Sequence, residues 1–307
     1  MKKILIFGAG HRVKDNIFPA LSSIEYDLDI DFVSLSGKEL VSSGYQTKCF
    51  KFGLSEIDYS IYDLILISVP QNEVLKVVSS INKNERYKIL LDTPITREIN
   101  KFTKKYDIKV MEDIIFLPFI KIIKDYAPIN QIIMMYSGYE YHGLAVGKNL
   151  IDKKILHAKR TRNSERDDVL IKFKTNKSAK IFNPRDYKKG YIEITYENKK
   201  KIVFGNKSTY IEIEGISDFI DGENYVVENI DLVKAHQDIK ENLIVSTNYV
   251  NDIHIFKTFG LSNIFEKALE GKFSELPNVI NCYEDYKVVN SITIRNRVKW
   301  KLKKLSQ

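Results

Sequence analysis

Two glycines one residue apart, Gly8 and Gly10, follow a short apolar run, Ile4–Phe7, and precede a segment with helical spacing, Asp15–Ser23. The first glycine allows a sharp turn. The second lets a phosphate group approach bare backbone at the positive end of the helix. The order of strand, glycine turn and helix therefore predicts a turn that binds a pyrophosphate near residue 10.

Further apolar runs of strand length recur downstream, and segments with helical spacing separate them. The apolar runs are Leu28–Leu35, Leu64–Val69, Lys88–Leu91 and Lys109–Met111, and the helical segments are Glu73–Ile81 and Thr96–Lys105. Such alternation predicts parallel β-α-β units, hence a doubly wound sheet with helices on both faces. The alternative is a doubly wound domain whose glycine turn binds no ligand.

The second half of the chain changes its hydrophobic period. From Val169 to Ile213 apolar and polar residues alternate, with turn residues at the breaks. This pattern is typical of an antiparallel sheet of consecutive hairpins with one solvated face. Helical segments follow at Val226–Lys240 and Asn251–Leu269, and Gly271 is placed to end the second one.

These patterns predict an α/β protein of two domains. We expect residues 1–120 to form an N-terminal Rossmann domain with a doubly wound parallel sheet that binds a dinucleotide. We expect residues 121–307 to form an α+β domain with an open, mostly antiparallel sheet. The length of 307 residues supports a division, since a single core usually stops growing below that size.

Composition favours a cytoplasmic enzyme. No segment approaches the roughly 18 uninterrupted apolar residues that span a membrane, and the apolar part of the N-terminus is too short for a signal peptide. Cys49 and Cys282 lie far apart, without the spacing of metal ligands. We therefore expect reduced thiols in a reducing compartment, and no bound metal.

The net charge of +8 favours an anionic ligand. Much of the excess lies in Lys199–Lys201, which is typical of a solvated turn, and in Arg295–Lys304. The second run is typical of a charged terminal helix, with a helix for a membrane surface or a partner protein as the alternative. The basic residues are otherwise scattered and no recognition motif occurs, so we expect neither a nucleic-acid partner nor integral membrane association.

Several segments, in their order and spacing, give the chain a family resemblance. They are Gly8–Gly10 with Asn16–Leu21, then Asp63–Pro70, Leu91–Ile95 and Glu112–Pro118. On these segments the chain resembles the glucose–fructose oxidoreductase / inositol dehydrogenase (Gfo/Idh/MocA) family, most strongly over the first 120 residues. The resemblance implies a nicotinamide-dependent oxidoreductase of sugars, nucleotide sugars or polyols. It also implies that residues 1–120 bind the cofactor and that residues 121–307 serve substrate binding and oligomerisation. The expected assembly is a homodimer or homotetramer, because the family's open sheets commonly pair face to face.

The candidate catalytic residues, His142, Tyr141 and Thr93, rest on this resemblance. Leu91–Ile95 stands where the family has Glu-Lys-Pro, so that Thr93 replaces the lysine. A threonine forms hydrogen bonds but cannot supply a cationic acid. The family's Asp-x-Gly-x-His motif matches Gly138–His142, where the histidine is kept and the other two residues differ. An alignment that is shifted after residue 120 remains the alternative.

The end of the second strand bears on the choice of cofactor. It offers Ser34, Ser36 and Lys38, and after Asp31 no carboxylate occurs before Glu39. Hydroxyls and an ammonium group suit a 2′-phosphate, which favours NADP(H) over NAD(H). The alternative is that Lys38 only begins the next helix. The candidate cofactor-binding residues are Gly8, Gly10, His11, Arg12, Val13, Ser34, Ser36, Lys38, Ser68, Pro70, Asp92, Thr93 and Pro94.

The favoured function is an NADP(H)-dependent oxidoreductase that reduces a carbonyl or imine of a sugar, nucleotide sugar or related biosynthetic intermediate. An imine needs less help from an acid than a ketone does, which suits the missing lysine. Residues placed to line the substrate are Tyr141, Arg185, Tyr187 and Lys188. The alternatives are a non-catalytic dinucleotide-binding sensor or scaffold and a methyltransferase. The methyltransferase is disfavoured because strand two ends without an acidic ribose ligand.

Overall fold

The computed structural model describes two compact units of the chain. The described residues are 1–34, 48–50, 57–81, 87–93, 95, 98–102, 106–117, 120–164, 167–184, 186, 190–199, 201–205, 252–285, 287–288 and 291. The first unit contains those within Met1–Phe116 and Lys257–Glu284, and the second those within Leu117–Asp238, Asn248–Phe256 and Asp285–Gln307. The chain thus returns to the first unit after residue 256, whereas the predicted division gave everything after residue 120 to the second.

The first unit is built on a six-stranded parallel sheet. Its strands are β1 (Lys2–Phe7), β2 (Leu28–Val33), β3 (Lys48–Phe50), β4 (Leu64–Ile67), β5 (Lys88–Leu91) and β6 (Asp107–Val110). They run in the order β3-β2-β1-β4-β5-β6, and every neighbouring pair is parallel. This order confirms the predicted doubly wound sheet. It also places a topological switch point between β1 and β4.

The helices of this unit differ in detail from the prediction. The predicted helix Asp15–Ser23 is a π-helical turn, Val13–Ile17, that continues into α1 (Phe18–Ser22). Helix α2 (Val74–Ser80) lies within the predicted segment Glu73–Ile81. Within the predicted helix Thr96–Lys105, the described residues form only a 3-10 turn, Ile99–Lys101. The apolar pair Ile99 and Phe102, three residues apart, suits a 3-10 turn as well as an α-helix.

Two apolar cores cover the two faces of the sheet, because alternate residues of each strand point to opposite faces. On β1, Ile4 and Ile6 belong to one core, and Leu5 and Phe7 belong to the other. Helix α2 covers the second core. The first core is covered by α1 and by buried residues in the C-terminal half of a later helix (Asp252–Leu269), which explains the return of the chain to this unit.

The second unit holds a mixed sheet of six strands. Its elements are α3 (Ile120–Tyr126), β7 (Ile129–Met135), α4 (Glu140–Leu150), β8 (Ile155–Arg162), β9 (Asp167–Phe173), β10 (Ser178–Phe182), β11 (Tyr191–Tyr196) and β12 (Lys201–Gly205); the helix Asp252–Leu269, which follows, is α5. The strand order is β12-β11-β7-β10-β9-β8.

The mostly antiparallel character of this sheet is confirmed, but the expectation of consecutive hairpins is wrong at one place. Strand β7 lies between β10 and β11 and pairs parallel with β10. The predicted alternating pattern began at Val169, so β7 and β8, which precede it, were not assigned to this sheet. The predicted strand Tyr210–Ile213 and helix Val226–Lys240 lie outside the described residues.

Helix α4 packs closely on the buried face of this sheet because it carries two glycines one turn apart. A Cβ on Gly143 would lie 2.2 Å from Ile181 Cγ1, and one on Gly147 would lie 2.6 Å from Phe173 Cζ. Helix α5 confirms the predicted segment Asn251–Leu269, and Gly271 follows it with a φ of +85°. None of the described helices is both long and apolar enough to cross a membrane.

Candidate functional site

Several of the predicted site residues lie together at the carboxyl edge of the parallel sheet. Each strand's hydrogen-bond pattern continues by one residue into the loop that follows. Gly8 N donates to Val33 O at 3.0 Å, and Ser68 N donates to Phe7 O at 2.8 Å. Asp92 N in turn donates to the carbonyl oxygen of Ile67 at 2.9 Å. Gly8, Ser68 and Asp92 therefore line one edge, around the switch point between β1 and β4.

Glycine is present at the two positions of the turn for different structural reasons. Gly8 has a φ of +123°, and a Cβ there would lie 2.1 Å from the carbonyl oxygen of Ser68. A Cβ on Gly10 would meet nothing within 4 Å. Gly8 is therefore required by the fold itself, whereas the bare backbone of Gly10 opens onto free space. That space, at the start of a helix, fits a pyrophosphate group.

Arg12 lies two residues after Gly10, and its guanidinium donates hydrogen bonds to three side chains. Nη2 donates to Asp113 Oδ2 at 2.8 Å, Nε to Asp92 Oδ2 at 3.3 Å and Nη1 to Asn16 Oδ1 at 3.2 Å. Burial lowers the pKa of Arg12, but the two carboxylates raise it more, so the net shift is upward and the group is charged. Arg12 thus ties the first helix to the segments that follow β5 and β6.

Asp92 also organises the turn after β5. Its Oδ2 accepts a hydrogen bond from Ser68 Oγ at 2.8 Å, and its Oδ1 accepts one from Thr93 N at 3.0 Å. Both Ser68 and Thr93 are half-buried. The carboxylate therefore holds two of the predicted cofactor-binding residues in place.

The remaining predicted residues of this unit vary in exposure. His11 is 99% exposed, with Nδ1 3.6 Å from Asp15 Oδ2, and Val13 is buried in the core. Pro70 is exposed, and Ser34 is half-buried directly after β2. Ser36, Lys38 and Pro94 lie outside the described residues, as do Arg185, Tyr187 and Lys188 of the second unit.

In the second unit, His142 lies on the first turn of α4 among aromatic rings. The imidazole is buried, with its centroid 4.2 Å from the ring of Tyr141. Tyr139 stacks on Tyr141 at 5.6 Å and is 39% exposed. Tyr141 and His142 both lie on α4, which follows β7 along the chain. An imidazole can donate or accept a proton near neutral pH, and here aromatic rings shield it from water.

A charged cluster that was not predicted from the sequence lies at the N-terminal end of α4. Glu140 Oε1 lies 3.0 Å from Arg160 Nη1 and accepts a hydrogen bond from Asn183 Nδ2 at 3.2 Å. Arg160 also donates from Nε and Nη2 to the two carboxylate oxygens of Asp167, both at 2.7 Å. The pKa of Arg160 is raised, chiefly by the hydrogen bonds to Asp167 and against the effect of burial.

No protein-family model matches the chain, and no curated protein matches its sequence. Several solved structures share its fold. A dehydrogenase from Clostridium difficile has 15% identity and a TM-score of 0.63, covering 96% of this chain and 99% of its own. UDP-N-acetylglucosamine 3-dehydrogenase from Acidithiobacillus ferrooxidans has 9% identity and a TM-score of 0.61, covering 95% and 97%. A myo-inositol dehydrogenase from Corynebacterium glutamicum has 13% identity and a TM-score of 0.54, covering 89% and 97%. The chain has the fold of these enzymes.

Proposed function

We propose that the protein is an NADP(H)-dependent oxidoreductase that reduces a carbonyl or imine of a sugar, nucleotide sugar or related biosynthetic intermediate. The observation that supports this most is the open backbone at Gly10, beside the topological switch point of a doubly wound sheet. Dinucleotides bind in the crevice outside the carboxyl ends of such strands. The solved structures that share this fold include dehydrogenases of a nucleotide sugar and of myo-inositol.

The chain's own residues have separate roles in this proposal. The turn Gly8–Gly10 and the start of the following helix hold the pyrophosphate, while Ser34, Ser36 and Lys38 favour a 2′-phosphate. When bound, the nicotinamide supplies the hydride. Asp92 holds the Thr93 backbone and the Ser68 hydroxyl in place. His142, with Tyr141 as its neighbour, supplies the proton that a reduced carbonyl or imine requires.

The proposed direction is reduction, because Thr93 lacks the cationic acid that a lysine would supply at this position. A threonine at this position can hydrogen-bond to a substrate oxygen or nitrogen but cannot act as a cationic acid. Imines and extended π-systems need less help from an acid, so they are the first substrates to test alongside ketosugars. The stacked rings of Tyr139 and Tyr141 add a flat apolar surface that suits a ring-shaped substrate.

We further propose a cytoplasmic homodimer or homotetramer that pairs through the sheet face opposite α4. On this face the central strand β7 contributes the half-buried Ile133 and Met135, and Phe182 of β10 lies beside Met135. Such apolar residues on a half-buried sheet face suit aligned packing against a second sheet. No nucleic acid or integral membrane association enters the proposal.

The first test is a titration of the purified protein with NADPH and NADH, followed by energy transfer from Trp300 and the tyrosines. We expect tight NADPH binding that weakens about tenfold in Lys38→Ala, because one charge-assisted hydrogen bond is lost. Lys76→Ala is the matched control, since that side chain is 68% exposed on α2. Failure to bind either nucleotide at physiological concentration would show that the oxidoreductase proposal is wrong.

Turnover then separates the enzyme from a dinucleotide sensor of the same fold. NADPH oxidation is measured with ketosugars and imines, in the wild type and in His142→Gln. An enzyme gives turnover that falls in His142→Gln while NADPH affinity stays the same. A sensor binds NADPH tightly and oxidises it with none of these substrates.

A further inference from the structure

Arg160 of β8 links separate segments of the second unit to the first residue of α4. It is held by both carboxylate oxygens of Asp167 at 2.7 Å and lies 3.0 Å from Glu140 Oε1. The side chains of Arg160, Glu140 and Asp167 are only 12%, 15% and 21% exposed. Asn183 completes the cluster, since its backbone N donates to Asp167 O at 2.8 Å and its side chain donates to Glu140 at 3.2 Å.

The first turn of α4 has no side-chain cap, so the cluster at Glu140 is placed to hold it. Tyr139 is the N-cap residue, and its side chain makes no capping hydrogen bond. The first helical hydrogen bond runs from Gly143 N to Tyr139 O at 3.1 Å. The glycines of α4 set its distance from the sheet. The Glu140 carboxylate, held by Arg160 and Asn183, joins that turn to neighbouring strands.

We infer that Arg160 is a positioning residue: through Glu140 it fixes the first turn of α4 and so the orientation of Tyr141 and His142. A buried ion pair contributes little net stability compared with apolar residues of similar volume, so stability alone does not account for the cluster. A planar guanidinium that binds one carboxylate in bidentate fashion has a fixed direction, and it presents its remaining N–H groups to a defined place. This tether, the contact of Arg160 with α4 through Glu140, is supported by the distances in the structure. Its effect on proton transfer rests on the proposed function.

The test compares Arg160→Met, Glu140→Gln and the double variant, each in the full chain. Arg162→Met is the matched control, because Arg162 lies on the same strand, is 64% exposed and is 3.6 Å from Asp167. One readout is the ¹³Cε1–H resonance of His142, identified by its loss in His142→Gln. This resonance is sensitive to the ring current of Tyr141 at 4.2 Å. The second readout is hydrogen exchange of the Gly143 amide.

We expect Arg160→Met to move the His142 resonance toward that of an exposed histidine and to speed Gly143 exchange about tenfold or more. Glu140→Gln should move both in the same direction, and the double variant should do no more than Arg160→Met, because both changes break one tether. Arg162→Met should leave both readouts unchanged. With NADPH and a substrate, kcat should fall about tenfold to a hundredfold while the Kd for NADPH stays constant.

A folded Arg160→Met protein with the wild-type His142 resonance would overturn the inference, and so would additive effects of the two single changes. If Arg160→Met does not fold, the milder Glu140→Gln decides by the same two readouts. An absence of turnover with every substrate would count against the proposed function alone. The resonance and the amide exchange would still decide whether Arg160 tethers α4.

Discussion

Arg12 Nε lies 3.3 Å from Asp92 Oδ2, so the start of the helix that follows the glycine turn is tied to the end of β5. The same guanidinium reaches Asp113 Oδ2 at 2.8 Å. Arg12 was predicted to bind cofactor phosphates from its position in the sequence, and that role stays a prediction. In the structure Arg12 forms ion pairs with two carboxylates, and these pairs hold three chain segments together at the carboxyl edge.

Replacing Arg12 should therefore destabilise the first unit. In Arg12→Met, Asp92 and Asp113 lose their cation while Asp113 stays buried. Because Arg12 is itself 28% exposed, we expect a loss of about 2 kcal/mol in the free energy of unfolding, below the full cost of breaking a buried pair. Urea denaturation measures it, with the exposed Lys14→Met on the same helix as control. Equal stability of Arg12→Met and Lys14→Met would contradict the prediction.

Alanine at the two glycines of the turn should separate folding from ligand binding. In Gly8→Ala the new Cβ would lie 2.1 Å from Ser68 O at a φ of +123°, so we expect a loss of about 3 kcal/mol or more, or no folded protein. In Gly10→Ala the Cβ meets nothing within 4 Å, so stability should stay the same or rise by up to about 1 kcal/mol.

The same Gly10→Ala change should nevertheless weaken NADPH binding about tenfold or more, because the methyl group takes the space of the phosphate. Thermal unfolding and NADPH titration of the one purified variant measure both effects. Wild-type affinity for NADPH in stable Gly10→Ala would show that the turn does not hold the pyrophosphate.

Tyr62 should contribute to unfolding at alkaline pH. Burial raises the pKa of Tyr62, and the hydrogen bond to Asp31 Oδ2 at 2.7 Å raises it further. A tyrosine whose pKa is raised in the folded state stabilises the fold fully below its unfolded pKa of about 10. As pH rises above 10, only the unfolded state loses the proton, so stability falls by about 1.4 kcal/mol per pH unit for this group.

The measurement is the free energy of unfolding in urea between about pH 8 and pH 11.5. Other groups titrate in the same range, so the comparison is between wild type and Tyr62→Phe. The variant should be less stable at neutral pH, because buried Asp31 loses its donor, yet it should lose less stability above about pH 10. Identical slopes in the two proteins would show that Tyr62 does not carry this effect.

The local patterns in the sequence were sufficient for the parallel sheet but not for the charged clusters. Strands β4 and β5 are apolar along nearly their whole length because both faces of the sheet are covered, and that pattern is visible in sequence. By contrast, Arg160 meets Asp167 across the local β8–β9 pair, but it meets Glu140 only because α4 packs on the second sheet. The insertion of β7 between β10 and β11 is a long-range event that no local period encodes.

The same limit applies to Arg12. Its place just after the glycine turn can be seen in the sequence, but its partners Asp92 and Asp113 follow β5 and β6, which the sheet brings to one edge. The described part of the predicted helix 96–105 is a 3-10 turn for a different reason, since an apolar spacing of three residues does not distinguish a 3-10 turn from an α-helix.

The register around β7 makes the second sheet face self-complementary, which leads to a test of the proposed assembly. Ile133 pairs with Lys180 on β10 and with Glu193 on β11, and Met135 pairs with Phe182 and Tyr191 in the same way. A two-fold axis along β7, between two such faces, places β10 of one protomer over β11 of its partner. Lys180 then faces the partner's Glu193, whereas an axis across the strands would place Lys180 over its own copy.

We therefore expect Lys180→Glu and Glu193→Lys each to weaken self-association by about tenfold or more, since each creates like-charge contacts twice in a symmetric interface. The double variant, which exchanges the two charges, should restore the wild-type dissociation constant. Sedimentation equilibrium measures this, with Lys154→Glu at an exposed position before β8 as control for the change in net charge. If both single variants associate like the wild type, the axis along β7 is wrong. If the control weakens association equally, the effect comes from net charge and not from the pairing of Lys180 with Glu193.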